Sequence, residues 1–190
     1  TRYLSYFELV IGKTRPILLS SSMKEEHGFL AVDLTNPDFH VAGQVFPPRD
    51  TIHIHRTIFL WDGTLYQSFR IKNYALQKVT ISIGFRYRAD FADIFEVRGL
   101  KRKRRGNDRP PHAEKDTVLL SYEGLDDVLY RTKIMFNPQP TSLSPLEAQF
   151  DASFEPHEEK SFDMILTCQK GENERDQLSY PEACSKLTAR

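Results

Sequence analysis

Along most of this chain apolar and polar residues alternate with a period of two. Val79, Ile81, Ile83, Phe85 and Tyr87 fall on one face of a strand whose other face carries Thr80, Ser82, Gly84, Arg86 and Arg88. The same alternation runs through Val128, Tyr130, Thr132, Ile134 and Phe136. It recurs in Ala148, Phe150, Ala152 and Phe154, and again in Phe162, Met164, Leu166 and Cys168. One buried face and one solvated face per strand is the mark of antiparallel sheets. Between TIHIHRTIFLW and TLYQSFRIKN stands Asp62-Gly63, a pair that tolerates the positive φ of a type I′ turn, so residues 51 to 72 are expected to form a long hairpin. Shorter strands are expected near 4 to 11, 16 to 22, 28 to 34 and 116 to 123. The total is about ten to twelve, spaced by turn signals as in a sandwich.

Helix signals are scarce. Pro181 followed by EACSKLTAR has a helix-start proline with good helix formers behind it, and a helix there is expected to leave the sandwich rather than build it. Residues 104 to 116, RRGNDRPPHAEKD, read as a polar loop, and 137 to 145, NPQPTSLSP, as a proline-broken connection. The resulting expectation is an all-β fold, a large antiparallel β-sandwich over residues 1–175, with a linker or helix over 176–190.

Composition narrows the functional classes. A chain of 190 residues can bury roughly 70% of its unfolded surface in one domain without staples. Lys plus Arg equal Asp plus Glu at 26 each, so no global field draws the protein to nucleic acid. The two cysteines, Cys168 and Cys184, are too few for a disulfide framework and suggest a reducing, cytoplasmic setting. No apolar run has the length of a membrane span, and no secretory signal opens the chain. A start at Thr1-Arg2 without methionine suggests a piece of something longer.

Candidate chemistry is sparse. His53 and His55 are two apart on a strand and point to one face, as a metal site requires, but no third ligand is evident and no cofactor is called for. Ser20, Ser21 and Ser22 lack the Gly-x-Ser-x-Gly surroundings of a nucleophile. The stretch RADFADIFEVRGLKRKRRG is the most unusual. Asp90, Asp93 and Glu96 would suit glycoside hydrolysis, which needs one protonated and one ionised carboxylate, yet three acids in seven residues more often mark a solvated turn or partners for Arg88, Arg98 and Arg102. The run Lys101 to Arg105 reads either as a phosphate-contacting patch or as a charged hairpin arm neutralising the acids before it; zero net charge favours the arm.

Four strings in order, TRYLSYFELVIGKTRPILLSSS, AVDLTNPDF, HIHRTIFLWDGTLYQSFRIKNY and FRYRADFADIFEVRGLKRKRRG, resemble the N-terminal domain of bacterial glycogen debranching enzyme-like proteins, the amylo-α-1,6-glucosidase group. The similarity runs from Thr1 to about Cys168. It implies a supersandwich-like β-domain preceding an (α/α)6 toroid that holds the catalytic carboxylates. This chain has no room for that toroid, so no catalytic residue carries over and the chain alone is expected to be non-catalytic. The segment after Pro181 would lead to the absent domain, which is the expected partner; an α-glucan is the candidate ligand. Trp61, Tyr66 and Phe91 are then candidate sugar platforms or interface residues. Asp90, Asp93 and Arg98 are candidates for holding a loop against the toroid. The alternative is an independent α-glucan-binding module.

Overall fold

The structure is a computed structural model that describes all residues except 25–27, 42, 172–176 and 190. In chain order the strands are β1 (Tyr6–Ile11), β2 (Ile17–Lys24), β3 (Phe29–Thr35), β4 (His40–Val41), β5 (Gln44–Val45), β6 (Ile52–Trp61), β7 (Thr64–Asn73) and β8 (Val79–Arg88). A short helix α1 (Ile94–Val97) separates these from β9 (Asn107–Glu114), β10 (Thr117–Glu123), β11 (Leu129–Asn137), β12 (Ser142–Leu143), β13 (Glu147–Phe154) and β14 (Glu159–Lys170). Helix α2 (Tyr180–Thr188) follows. A large sheet in the order β2-β3-β6-β7-β14-β11-β10-β9 faces a smaller one, β1-β8-β13-β12, and β4 pairs with β5. Every ladder is antiparallel, for instance Tyr6↔Arg88 in the small sheet and Tyr130↔Lys170 in the large one.

Alternation decides what lies between the sheets. Val79, Ile81, Ile83, Phe85 and Tyr87 from the small sheet meet Phe69, Ile71, Ile134, Phe136, Phe162 and Met164 from the large one, all buried. Phe85 sits at the centre, with its ring 4.7 Å from Phe69 and 5.7 Å from Phe150. The long hairpin forms as its turn residues dictate: Asp62 at φ 46° and Gly63 at φ 71° join a ladder running from Ile52↔Asn73 to Trp61↔Thr64.

Three local expectations are corrected. Residues 107–114 form strand β9 rather than loop, because pairing with β10 supplies the backbone hydrogen bonds whatever the side chains are. Pro110 and Pro111 fit there because β9 is an edge strand and the register shifts between Leu119 and Ser121, opposite them. Residues 142–143, inside the expected proline-broken connection, pair briefly with β13. The C-terminal helix does not leave the sandwich. Its start is fixed by Ser179 and Glu182 in a reciprocal capping box, with Pro181 in the first turn. Ala183, fully buried, then packs with Tyr180, Cys184 and Leu187 against Phe59, Tyr66 and Ile165 on the outer face of the large sheet. The Tyr180 hydroxyl lies 2.6 Å from Thr57 Oγ1.

Candidate functional site

The segment 89–106 crosses one end of the sandwich from β8 to β9. It is not the hairpin that its charge pattern suggested, but a tied-down loop around one helical turn. The chain start anchors it: Arg2 N donates to the Ala92 carbonyl at 2.8 Å, Phe91 N donates to the Arg2 carbonyl at 3.1 Å, and Arg2 Nε donates to Asp90 Oδ1 at 3.0 Å. Phe91 takes the left-handed conformation, φ 51°, which turns its side chain inward. Its ring is 5% exposed, stacked on Tyr122 at 5.6 Å and edge-on to Tyr3 at 6.0 Å.

Asp93 caps α1 by accepting from Phe95 N at 2.7 Å and Glu96 N at 2.9 Å, while Glu96 Oε2 accepts from Asp93 N at 3.0 Å. Arg102 Nε donates to Asp93 Oδ2 at 2.9 Å, and Arg105 Nε pairs with Glu96 at 3.0 Å while its guanidinium lies over the Tyr122 ring. Gly99, at φ 99°, ends the turn. Gly106 is required by close approach: its N–H donates to the Tyr122 hydroxyl at 2.7 Å, and a Cβ there would lie 1.8 Å from the Glu123 carbonyl oxygen.

Each acid of the cluster therefore has a structural task. The hydrogen bond from Arg2, helped by the Ala92 N–H and opposed by partial burial, holds the Asp90 carboxyl below its usual range. The Glu96 N–H, with Arg102 and the Phe95 N–H, does the same to Asp93. A glycosidase general acid needs a shift in the other direction, so neither group is poised for proton donation. Two cations of the basic run, Arg102 and Arg105, pair with Asp93 and Glu96, while Asp90 is taken by Arg2; Arg98, Lys101, Lys103 and Arg104 are in no ion pair among the described residues. Beside the segment opens a cleft of about 540 Å³, lined by residues 100–105 together with Tyr122, Leu125, Asp126 and Tyr130.

The other candidates lie elsewhere. Tyr66 is 2% exposed beneath α2, stacked on Phe59 at 5.1 Å, so it offers no free face to a sugar; the same holds for Phe91 between Tyr3 and Tyr122. Trp61 is half-buried at the hairpin end, packed into the cluster under α2. His53 and His55 share one carboxylate oxygen: Asp33 Oδ1 is 3.1 Å from His53 Nε2 and 2.8 Å from His55 Nδ1. Among the described residues no group of three or more His, Cys, Asp or Glu is arranged to hold a metal ion. Ser20 also bonds Asp33, at 3.0 Å, as part of an exposed strand. Sequence reasoning did not single out Arg2, Tyr122 or Gly106; Arg105 was read as part of the basic run that neutralises the acids before it.

The fold and the tied loop define a β-sandwich domain in which Asp90, Asp93 and Glu96 anchor the 89–106 segment. The chain belongs to the family described as the N-terminal domain of (some) glycogen debranching enzymes, whose model matches residues 1–164. Among solved structures, a kojibiose phosphorylase-like protein from the human microbiome superposes with TM-score 0.61 at 12% identity, covering 98% of this chain and 25% of that one. This shows a shared fold, and the chain spans a quarter of that protein's length. A galactose mutarotase-like protein from Clostridium acetobutylicum aligns at TM-score 0.43 and 10% identity, over 83% of this chain and 67% of its own. None of the curated proteins matches.

Proposed function

We propose that this chain is the non-catalytic β-sandwich domain of a glycogen debranching enzyme-like glycoside hydrolase of the amylo-α-1,6-glucosidase type. In this reading residues 1–175 are the domain and 176–190 begin the connection to a separate (α/α)6 part that carries the catalytic carboxylates. The domain supports and shapes that active site. The observation that carries the proposal is the use of Asp90, Asp93 and Glu96 as salt-bridge partners and helix caps, which leaves the family's most distinctive segment without a free acid. Family membership and the larger size of the phosphorylase-like neighbour support it. A chain with only two cysteines, too few for a disulfide framework, fits a reducing, cytoplasmic location.

Titration of the isolated chain with glycogen and maltooligosaccharides tests this against the glycan-module reading. A supporting domain shows no saturable binding by calorimetry and releases no sugar. Millimolar or tighter binding that Trp61→Ala abolishes with the fold intact would establish the module instead.

A further inference from the structure

The helical turn in the 89–106 segment leaves apolar side chains largely exposed, although the Arg102 guanidinium lies over the Phe95 ring. Ile94, Phe95, Val97 and Leu100 are 54%, 56%, 44% and 53% exposed, and α1 buries none of its residues. Leu125, 61% exposed, lines the same cleft as Leu100. This exposure is not a consequence of a loose loop. The capping box, the Arg2 anchor and the Phe91 stack hold the turn in one conformation, so a fixed apolar surface is presented to its surroundings. Contiguous apolar side chains on a rigid, otherwise polar surface mark a contact site, because leaving them in water forfeits the gain of burying them.

Charge identifies what covers it. Arg2, Arg102 and Arg105 occupy Asp90, Asp93 and Glu96, so Arg98, Lys101, Lys103 and Arg104 have no ion-pair partner among the described residues. A second copy docked through the same face would set like charges against one another. A neutral glucan would leave them without counter-charges. We infer that the face formed by residues 94–104 and Leu125 is the surface by which this domain docks onto the catalytic part of its parent enzyme. The complementary surface is an apolar projection seated in the cleft and ringed by Asp and Glu side chains. This rests on the reading of the chain as a companion domain, and deepens it by assigning the contact face and its chemistry.

Hydrogen exchange of backbone amides tests the assignment, comparing the 190-residue chain with the full-length parent enzyme at low and high salt. Amides of 94–105 should exchange about tenfold or more slowly in the parent, and the difference should shrink as salt screens the rim. Charge reversal at Lys101→Glu and Lys103→Glu in the parent should remove most of that protection, and circular dichroism of the isolated variant should be unchanged. If that pair fails to fold, Arg98→Glu and Arg104→Glu provide the same test from the two ends of the rim. Equal exchange of 94–105 in both proteins, with protection on another face of the domain, overturns the assignment and leaves the companion-domain reading standing. Absence of protection anywhere in the domain overturns both. Protection that survives charge reversal, or that maltoheptaose induces in the isolated chain, also overturns the assignment.

Discussion

Phe91 is the residue on which the seating of the 89–106 segment most directly depends. Its ring is 5% exposed between Tyr122 and Tyr3, yet its backbone sits at φ 51°, where an ordinary side chain is strained. Truncating a buried Phe to Ala costs about 3–5 kcal/mol; at the end of the sandwich, where the site can partly collapse, the lower end of about 3 kcal/mol is expected for Phe91→Ala. Glycine makes the argument sharper. In regular structure Gly is less stable than Ala by roughly 0.5–1 kcal/mol, but the left-handed region costs a residue with a Cβ about 1–2 kcal/mol that Gly avoids. Phe91→Gly should therefore be at least as stable as Phe91→Ala, the reverse of the usual order. Urea unfolding of both variants at constant m-value measures the difference. A loss below about 1 kcal/mol in the Ala variant would show that the ring is not packed. A Gly variant less stable than Ala by about 1 kcal/mol would show that the backbone is not left-handed here.

Gly106→Ala places a methyl group against the Glu123 backbone, which cannot rotate away, so a loss of about 1–3 kcal/mol and a melting point several degrees lower are expected. Asp163 on the large sheet's outer face has its carboxyl pushed up by burial, against hydrogen bonds from Ser68 and Asn137. The penalty for ionising it is absent below the ordinary Asp value of 3.8 and sets in as pH rises from there through the folded-state value. Asp163→Asn should accordingly raise the urea midpoint at neutral pH and give no gain at pH values under 3.8. Asp90 has the opposite sign. Its stabilisation is present above 3.8 and is lost as pH falls through its lowered folded value, so the midpoint difference between the native chain and Arg2→Gln should shrink on acidification below that point.

The strands were legible where a sheet has one buried and one exposed face. Val79 to Tyr87 and Phe162 to Leu166 are buried at every second position because the two sheets meet there. The Asp62-Gly63 turn was legible because positive φ at two successive residues restricts the choice of side chain. Strand β9 was hidden because an edge strand has no buried face to impose alternation; only Ala113 is shielded, and two prolines are tolerated. Helix α1 was missed although Asp93 and Glu96 have capping-box spacing, since four residues leave no hydrophobic period to see. The residues that fix the candidate site lie far apart in sequence. Arg2 meets Asp90 across 88 positions, and nothing local distinguishes that pair from other surface charges. Whether Tyr66 and Phe91 serve as platforms or as packing was not legible, because an aromatic residue reads the same whether a sugar or another ring covers it; here Phe59 stacks on Tyr66 and Tyr122 on Phe91.

The central claim is that this domain serves a catalytic part it does not contain. Debranching turnover measures that claim directly, with sugar release from a branched glucan followed for three proteins: the 190-residue chain, the full-length parent, and the parent lacking residues 1–164. The account predicts turnover by the parent alone, none by the isolated chain, and a large loss on removing the domain. Sugar release by the isolated chain, or full activity in a well-folded parent without it, would contradict the account.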